Sequence, residues 1–398
     1  ILLYPCAITA RLPQGEVGGS PGRGGGAKRR SSDVGAPAAA DRCLALLVLT
    51  SFLWATEALP LYVTSLGVAP AAVMLRVFLA PDGKPLHAGD AAHAVMAAMG
   101  DQVIMLIICV YSLAAALSKL GLDKVAATAV LSRVRRPSSV LLTVMLLAVF
   151  LSMWVSNVAS PVLLNSVVLP VLRGLPPSSN HFVQCILLGV AIASNIGGMP
   201  SPIASPQNAV ALGQLKGLHE VSFIEWMAAT LPQCIIMVLA AHAVLMAWFR
   251  PGDVTLPLIP RHTERFEWPH YLVITTLLVT VGLWCYKPTL AVAGADGLVA
   301  VLPILVFFGT GILTKEDFNN LPWNVVYLVA GGIALGAAVQ SSTLLSLVAG
   351  ALHYFLRHSS LWQVFAVFAI FMSLVSNAIS HTVSALIVLP VIAEVGAS

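Results

Sequence analysis

Ser156-Asn157-Val158-Ala159-Ser160-Pro161, followed by Val168-Leu169-Pro170-Val171, returns 220 residues later as Ser376-Asn377-Ala378-Ile379-Ser380-His381, followed by Val388-Leu389-Pro390-Val391. The correspondence extends outward from this pair. Arg136, Ser138 and Ser139 match Arg357, Ser359 and Ser360 at an offset of 221, and Val103, Ile104 and Leu106 match Val325, Val326 and Leu328 at 222. A 70-residue apolar unit repeated in this way is uncommon in soluble enzymes, whereas secondary transporters commonly hold their substrate where two such repeats meet.

Composition places the repeat in a membrane. Hydrophobic residues make up 58% of the 398 positions and charged residues 10%, against about 25% charged in an average soluble domain. Apolar runs close to the length that crosses a bilayer fall at 43–58, 61–79, 102–118, 138–155, 182–196, 226–249, 270–286, 297–313 and 325–340, too many for one buried core. The expected fold is therefore an all-α polytopic membrane protein. The net charge of +4 is small and its basic residues lie mainly outside the apolar runs, so no nucleic-acid footprint follows. The basic stretch Lys119, Lys124, Arg133, Arg135, Arg136 is placed in the cytoplasm by the positive-inside rule. Arg23 and Lys28 to Arg30, three spans earlier, contradict that orientation by the same rule. Cys6, Cys43, Cys109, Cys185, Cys234 and Cys285 show no metal-ligand or redox spacing and read as small packing residues.

Four segments follow. Residues 1–41 read as the end of a missing span (Ile1 to Ile8) and a flexible basic Gly/Pro/Ser/Ala linker (Gln14 to Ala40); 42–249 as a first transmembrane half; 250–268 as a polar connector; and 269–398 as a second, incomplete half.

Each cluster of the repeat, with Ser152 before the first and Ser373 before the second, lies between apolar arms of about 10–18 residues. Such arms suit a re-entrant hairpin whose tip turns inside the membrane. Backbone groups freed at a tip must face protein, water or a ligand: helix N-termini favour an anion, and unwound carbonyls and hydroxyls suit Na⁺. Asn157 and Asn377 serve both, since an amide donates and accepts. The plainer alternative is that these residues only bond neighbouring backbone. A third cluster, Ser194-Asn195-Ile196-Gly197-Gly198-Met199-Pro200-Ser201-Pro202-Ile203-Ala204-Ser205-Pro206-Gln207-Asn208, interrupts helix on both sides and carries no charge. Its glycines admit close approach of backbone to a ligand, and its prolines remove donors so that carbonyls stay free for a cation; an ordinary loop is the alternative. Its repeat partner would fall beyond Ser398, so the chain reads as truncated at its C-terminus. Glu57 and Asp101 are isolated acids near helix ends, where an interfacial role outweighs a functional one. His381 has two readings of equal weight, a donor to an anion or a packed histidine.

At these residues the sequence resembles the divalent anion:sodium symporter superfamily, and within it the fungal and protist low-affinity phosphate carriers. The stretches that carry the resemblance are Trp54-Ala-Thr-Glu-Ala-Leu-Pro-Leu-Tyr-Val-Thr-Ser-Leu-Gly67, Met153-Trp-Val-Ser-Asn-Val-Ala-Ser-Pro161, Ala193 to Asn208, Phe307-Phe-Gly-Thr-Gly-Ile-Leu-Thr-Lys-Glu-Asp-Phe-Asn-Asn320, Gly331-Gly-Ile-Ala-Leu-Gly336 and Ser380-His-Thr382. The resemblance implies an inverted-repeat ion-transporter fold with two re-entrant hairpins, an elevator-type motion, Na⁺ as coupling ion, no other cofactor, and a homodimer in the plasma membrane or the membrane of a vacuole or other acidic organelle. Family tips carry Ser-Asn-Thr. Counting ten residues back from Pro170 and Pro390 puts the triplet on Ser160-Pro161-Val162 and Ser380-His381-Thr382, with Ser156 and Ser376 at a sodium-liganding position; matching letters alone selects Ser156-Asn157 instead. Both tips depart from the dicarboxylate carriers. The resemblance thus assigns Na⁺ to Ser152, Ser156, Asn157, Gly197 and Gly198 at one site and to Ser376, Asn377 and Ser380 at another. It assigns inorganic phosphate to Asn157, Ser160, Ser205, Asn208, Ser380, His381 and Thr382. The rivals are a sodium- or proton-coupled sulfate or dicarboxylate carrier, a passive anion channel and a membrane enzyme. For the enzyme there is no His-Glu-x-x-His, and the one Gly-x-Ser-x-Gly match, Gly18 to Gly22, lies in the linker.

Overall fold

A computed structural model describes residues 35–134, 136–154, 157, 159–176, 179–215, 221–251, 266–286, 296–344, 360–378 and 381–397. The described residues are almost wholly helical, with one isolated bridge between Leu79 and Pro85. The helices are α1 Gly35–Thr56, α2 Leu61–Met74, α3 Ala88–Met99, α4 Gln102–Lys119, α5 Leu122–Leu131, α6 Pro137–Trp154, α7 Ala159–Arg173, α8 Asn180–Gly197, α9 Pro206–Leu215, α10 Phe223–Phe249, α11 Trp268–Cys285, α12 Asp296–Val299, α13 Val301–Gly309, α14 Lys315–Asn319, α15 Trp323–Ser341, α16 Leu361–Ala378 and α17 His381–Ala397. Seven stretches among them are long and apolar enough to cross a membrane, and five shorter apolar helices accompany them. This is the all-α polytopic fold expected from composition.

Three expectations need correction. The flexible linker is expected through Ala40, but α1 begins at Gly35, since alanine is the strongest helix former, and Ala39 and Ala40 are buried. The apolar run 61–79 is helical only to Met74: Arg76 takes a left-handed φ of 52°, and Val77 and Phe78 are then buried in the following turn. The run 297–313 is broken into α12 and α13. The remaining linker, 1–34, and most of the connector, 252–265, lie outside the described residues.

The chain forms two compact units: unit 1 from the described residues of Ile1–Ile104, Val210–Glu220 and Trp323–Ser398, unit 2 from Met105–Ala209 and Val221–Pro322. They are interleaved, and so differ from the sequential halves 42–249 and 269–398. The reason within unit 1 is that α15, late in the chain, packs against α2 and α3, early in it. A Cβ on Gly331 would overlap the Ser65 carbonyl, and one on Gly332 the Leu386 side chain; small residues at such crossings let membrane helices approach closely. Ser65 is fixed in turn by the Trp54 indole, which donates to its hydroxyl and to the Leu61 carbonyl, both at 3.2 Å.

Unit 2 is built on the pair α6 and α8, with α10 behind them. Gly189 lies against Leu141 and Met145, and Gly197 against Val149 and Ser152. At one edge, Thr314 and Asp317 form a capping box on α14. The same Asp317 oxygen receives the Lys119 ammonium. That bond, with the Thr314 amide, holds the Asp317 carboxyl below the usual carboxylate range.

Candidate functional site

In unit 2 the first repeat cluster and the Gly-Pro segment come together. α6 ends at Trp154 and α7 begins at Ala159, with Asn157 in the turn between. α8 runs to Gly197, where α-helix gives way to turns over 198–205, and Pro206 opens α9. Proline suits that first helical position because its missing N–H has no intrahelical partner there. Gly197 is required by geometry: a Cβ would meet Ser152 Cβ at 2.6 Å and the backbone of Val149 at 2.7 Å. At Gly198 a Cβ would reach Asn157 Cβ at 3.3 Å and Asn157 Nδ2 at 3.4 Å. The two glycines therefore bring the end of α8 against both Ser152 and Asn157.

The segment is held by side chains that donate to its carbonyls. Asn208 Nδ2 donates to the carbonyls of Gly198 and Ser201, each at 2.8 Å, and Ser205 Oγ donates to that of Gly198 at 3.2 Å. Trp226 Nε1 donates to Met199 O at 3.1 Å and Thr230 Oγ1 to Pro200 O at 3.1 Å, both from α10. Ser201 Oγ donates to Met153 O at 2.7 Å, closing the segment onto α6. Of the carbonyls expected to stay free for a cation, those of Gly198 and Ser201 each accept two bonds, the second to Ser201 from the Ala204 amide, while those of Met199 and Pro200 accept one and keep a lone pair apiece.

What remains unpartnered is hydroxyl. Ser152 Oγ and Ser194 Oγ are buried, and neither has a hydrogen-bond partner among the described residues. A buried hydroxyl without a partner carries a desolvation cost of about 1–3 kcal/mol; Ser152 faces Gly197 across the helix contact and Ser194 lies one turn before Gly197 on α8. The surroundings are rich in oxygen, and several of the neighbouring donors are engaged. Ser160, the second residue of α7, is buried and donates to Ala148 O at 3.2 Å; Ser205 and Asn208, assigned above to the anion, have their donors engaged in holding the loop. Each unpartnered hydroxyl offers two lone pairs to a cation and one O–H to an anion, and uncharged oxygens of this kind suit a hard cation.

In unit 1 the second cluster is arranged differently. α16 continues to Ala378, so Ser376 and Asn377 lie in its last turn, and Ser376 Oγ donates to Ser373 O at 3.2 Å. Ser380 lies outside the described residues, as does Ser156 of the first cluster. His381 is exposed at the first position of α17, followed by half-buried Thr382 and buried Ser384. The two isolated acids are at helix ends: Asp101 Oδ1 accepts the Val103 amide at 2.9 Å at the start of α4, and Glu57, with φ 49°, lies between α1 and α2. Sequence reasoning missed Ser201, Trp226 and Thr230. Trp226 and Thr230 share one face of α10 at a spacing of four residues, but that signals only a buried face.

A citrate transporter family model matches residues 51–398. The chain belongs to this family. Its members and relatives are transporters, and with seven apolar helices the family member described above is an integral membrane protein. The inorganic phosphate transporter PHO87 of Saccharomyces cerevisiae is 40% identical over 357 residues, covering 89% of this chain and 38% of PHO87. The low-affinity phosphate transporter PHO90 of the same yeast is 39% identical over 361 residues, 90% of this chain and 41% of PHO90. The sodium-dependent dicarboxylate transporter SdcS of Staphylococcus saprophyticus is 26% identical over 385 residues, 88% of this chain and 72% of SdcS. The chain thus spans about two-fifths of the length of the yeast relatives it matches. Among solved structures, the Alcanivorax borkumensis YdaH transporter superposes with a TM-score of 0.54 at 14% identity, covering 85% of this chain and 83% of that one, a likeness of fold.

Proposed function

We propose that this family member, as the full-length protein, is a secondary active transporter that couples Na⁺ to the uptake of inorganic phosphate. The observation that carries the sodium reading is the pair of buried, unpartnered hydroxyls, Ser152 and Ser194, beside the helix break at Gly197-Gly198. Na⁺ binds there through those hydroxyls, with Asn157 and the second lone pairs of the Met199 and Pro200 carbonyls as further oxygen donors. Ser156 completes the first site. Ser376, Asn377 and Ser380 form a second Na⁺ site at the other cluster, and the tip residues of each unit, Ser160 in one and His381 and Thr382 in the other, are the candidate contacts for phosphate. Phosphate as substrate is supported by the identity to PHO87 and PHO90 and a repeat architecture by the recurrence of the clusters at 220 residues; its inversion and an elevator-type movement are what the family resemblance implies.

Dicarboxylate transport is the second reading, favoured by the likeness to SdcS. Radiolabelled phosphate uptake into proteoliposomes, with and without a Na⁺ gradient and with succinate and sulfate as competitors, separates the two. Accumulation driven by Na⁺ and indifferent to the competitors is the expected result; strong inhibition by succinate replaces the substrate, and accumulation driven only by a proton gradient replaces the coupling ion. Ser152→Ala adds a local test. If Ser152 only packs, removing an unpartnered hydroxyl leaves Na⁺ dependence unchanged; as a ligand, its loss raises the Na⁺ concentration for half-maximal uptake about tenfold or more, the equivalent of about 1.4 kcal/mol.

A further inference from the structure

α11 has two sharply different faces. Val273, Thr276, Thr280 and Trp284 are buried in unit 2, with Trp284 stacked on Phe223 at 5.7 Å between ring centres. The opposite stripe is open: Trp268, Tyr271, Leu278 and Tyr286 are 63%, 61%, 66% and 63% exposed, and Thr275 and Gly282 between them are exposed as well. Their spacing of three and four residues keeps the five from Trp268 to Gly282 on one side of the helix, and Tyr286 caps its C-terminal end. No Asp, Glu, Lys or Arg occurs from Trp268 to Tyr286. The order along the stripe is aromatic, aliphatic, aromatic. From Trp268 to Tyr286 the axial rise is about 27 Å at 1.5 Å per residue, close to the roughly 30 Å of a bilayer's hydrocarbon core. Trp248, 81% exposed, lies at the end of α10 that adjoins the same connector as Trp268.

We propose that this stripe of α11 is a lipid-facing edge of unit 2, with Trp268 and Tyr271 seated in one headgroup region, Tyr286 in the other, and Leu278 at mid-depth in the acyl chains. Amphipathic aromatic rings gather at both membrane interfaces, where one end of the ring is apolar and the other wet. A second copy of the chain is the alternative occupant, and the residue types argue against it. Close helix contacts among the described residues include glycines set against backbone, as at Gly331 and Gly197, or against side chains, as at Gly332 and Gly189, whereas the one glycine of the stripe, Gly282, has nothing within 4 Å of a built Cβ and bulky side chains flank it. The inference rests on α11 alone and is independent of substrate and coupling ion.

A nitroxide scan in full-length protein reconstituted in phosphatidylcholine vesicles tests it, with labels on Tyr271→Cys, Leu278→Cys, Thr280→Cys and Tyr286→Cys in a background free of native cysteine. Collisions with lipid-soluble oxygen, relative to a water-soluble nickel chelate, should peak at 278, fall at 271 and 286, and be low for both quenchers at 280. A label at 278 shielded from oxygen, or one whose dipolar broadening vanishes on dilution with unlabelled protein, would mean that protein covers the face and would overturn the proposal. A ratio peaking at 271 or 286 would overturn the assigned depth. Native protein supplies a second measurement. Lipids brominated near the headgroup should quench a component of the tryptophan emission that is lost in Trp268→Phe, and quenching of that component by deeply brominated lipid alone would again refute the placement.

Discussion

Gly197→Ala is the substitution that the site should tolerate least for its size. The new methyl meets Ser152 Cβ at 2.6 Å and Val149 Cα and O at 2.7 Å, while carbon atoms rest comfortably at about 3.5–4.0 Å. Two of the three obstacles are backbone and cannot rotate away, so α8 must withdraw from α6 by roughly 1 Å. Overpacking of this kind costs about 1–3 kcal/mol, offset by less than about 1 kcal/mol of helix propensity gained on replacing glycine, for a net loss of about 1–2 kcal/mol. The displacement acts on the site itself, because Gly197 sits between Ser194 and Gly198 and faces Ser152. A shift of 1 Å in a positioned group can lower its effectiveness by about 100-fold. The assay is Na⁺-dependent protection against thermal unfolding of purified full-length protein, with uptake measured in parallel. Gly282→Ala is the control: it has the same propensity gain and open space around it, and should melt at or slightly above the wild-type temperature. A Gly197→Ala protein that melts like wild type and keeps its Na⁺ half-saturation would refute the claim that the α6–α8 contact sets the geometry of the site.

Three further outcomes follow from the same structure. Asn208→Ala removes two hydrogen bonds, although the Ser201 carbonyl keeps the Ala204 amide and the Gly198 carbonyl keeps Ser205; at about 0.5–1.5 kcal/mol each, unfolding should ease by about 1–3 kcal/mol, with Ser205→Ala, which removes one, the milder change, both read from thermal melts. Asp317 has its carboxyl held low by Lys119, so its contribution is present above the ordinary carboxylate pKa near 3.9 and is lost as pH falls through the lower folded value; Asp317→Asn should lose this acid-sensitive part of the melting profile, and an unchanged profile would show the clasp to be inert. Asp123, buried at the start of α5, has the opposite sign: burial raises its carboxyl pKa, so it stabilises least once pH rises through that folded value. Asp123→Asn should therefore melt higher than wild type at neutral pH and nearer to it in mild acid.

The sequence by itself determined the class of fold and the neighbourhood of the site. Apolar runs of bilayer length can only be helices, because a backbone in lipid must bond within its own segment, and the ends of α6, α8, α10, α11 and α15 fell within three residues of their apolar runs. Glycine and proline at 197–206 located the break of α8 for the same local reason. Tertiary structure decided which atoms are engaged. Whether the carbonyls of Met199 and Pro200 are free depends on Trp226 and Thr230, more than 25 residues away in the chain, and no local pattern reports a hydrogen bond across that separation. The same holds for Ser152 and Ser201: both are serines near a helix break, yet Ser201 has the Met153 carbonyl to bond and Ser152 is left without a partner among the described residues. Local chemistry fixes where a helix must stop; only packing fixes which of its polar groups is left to bind something else.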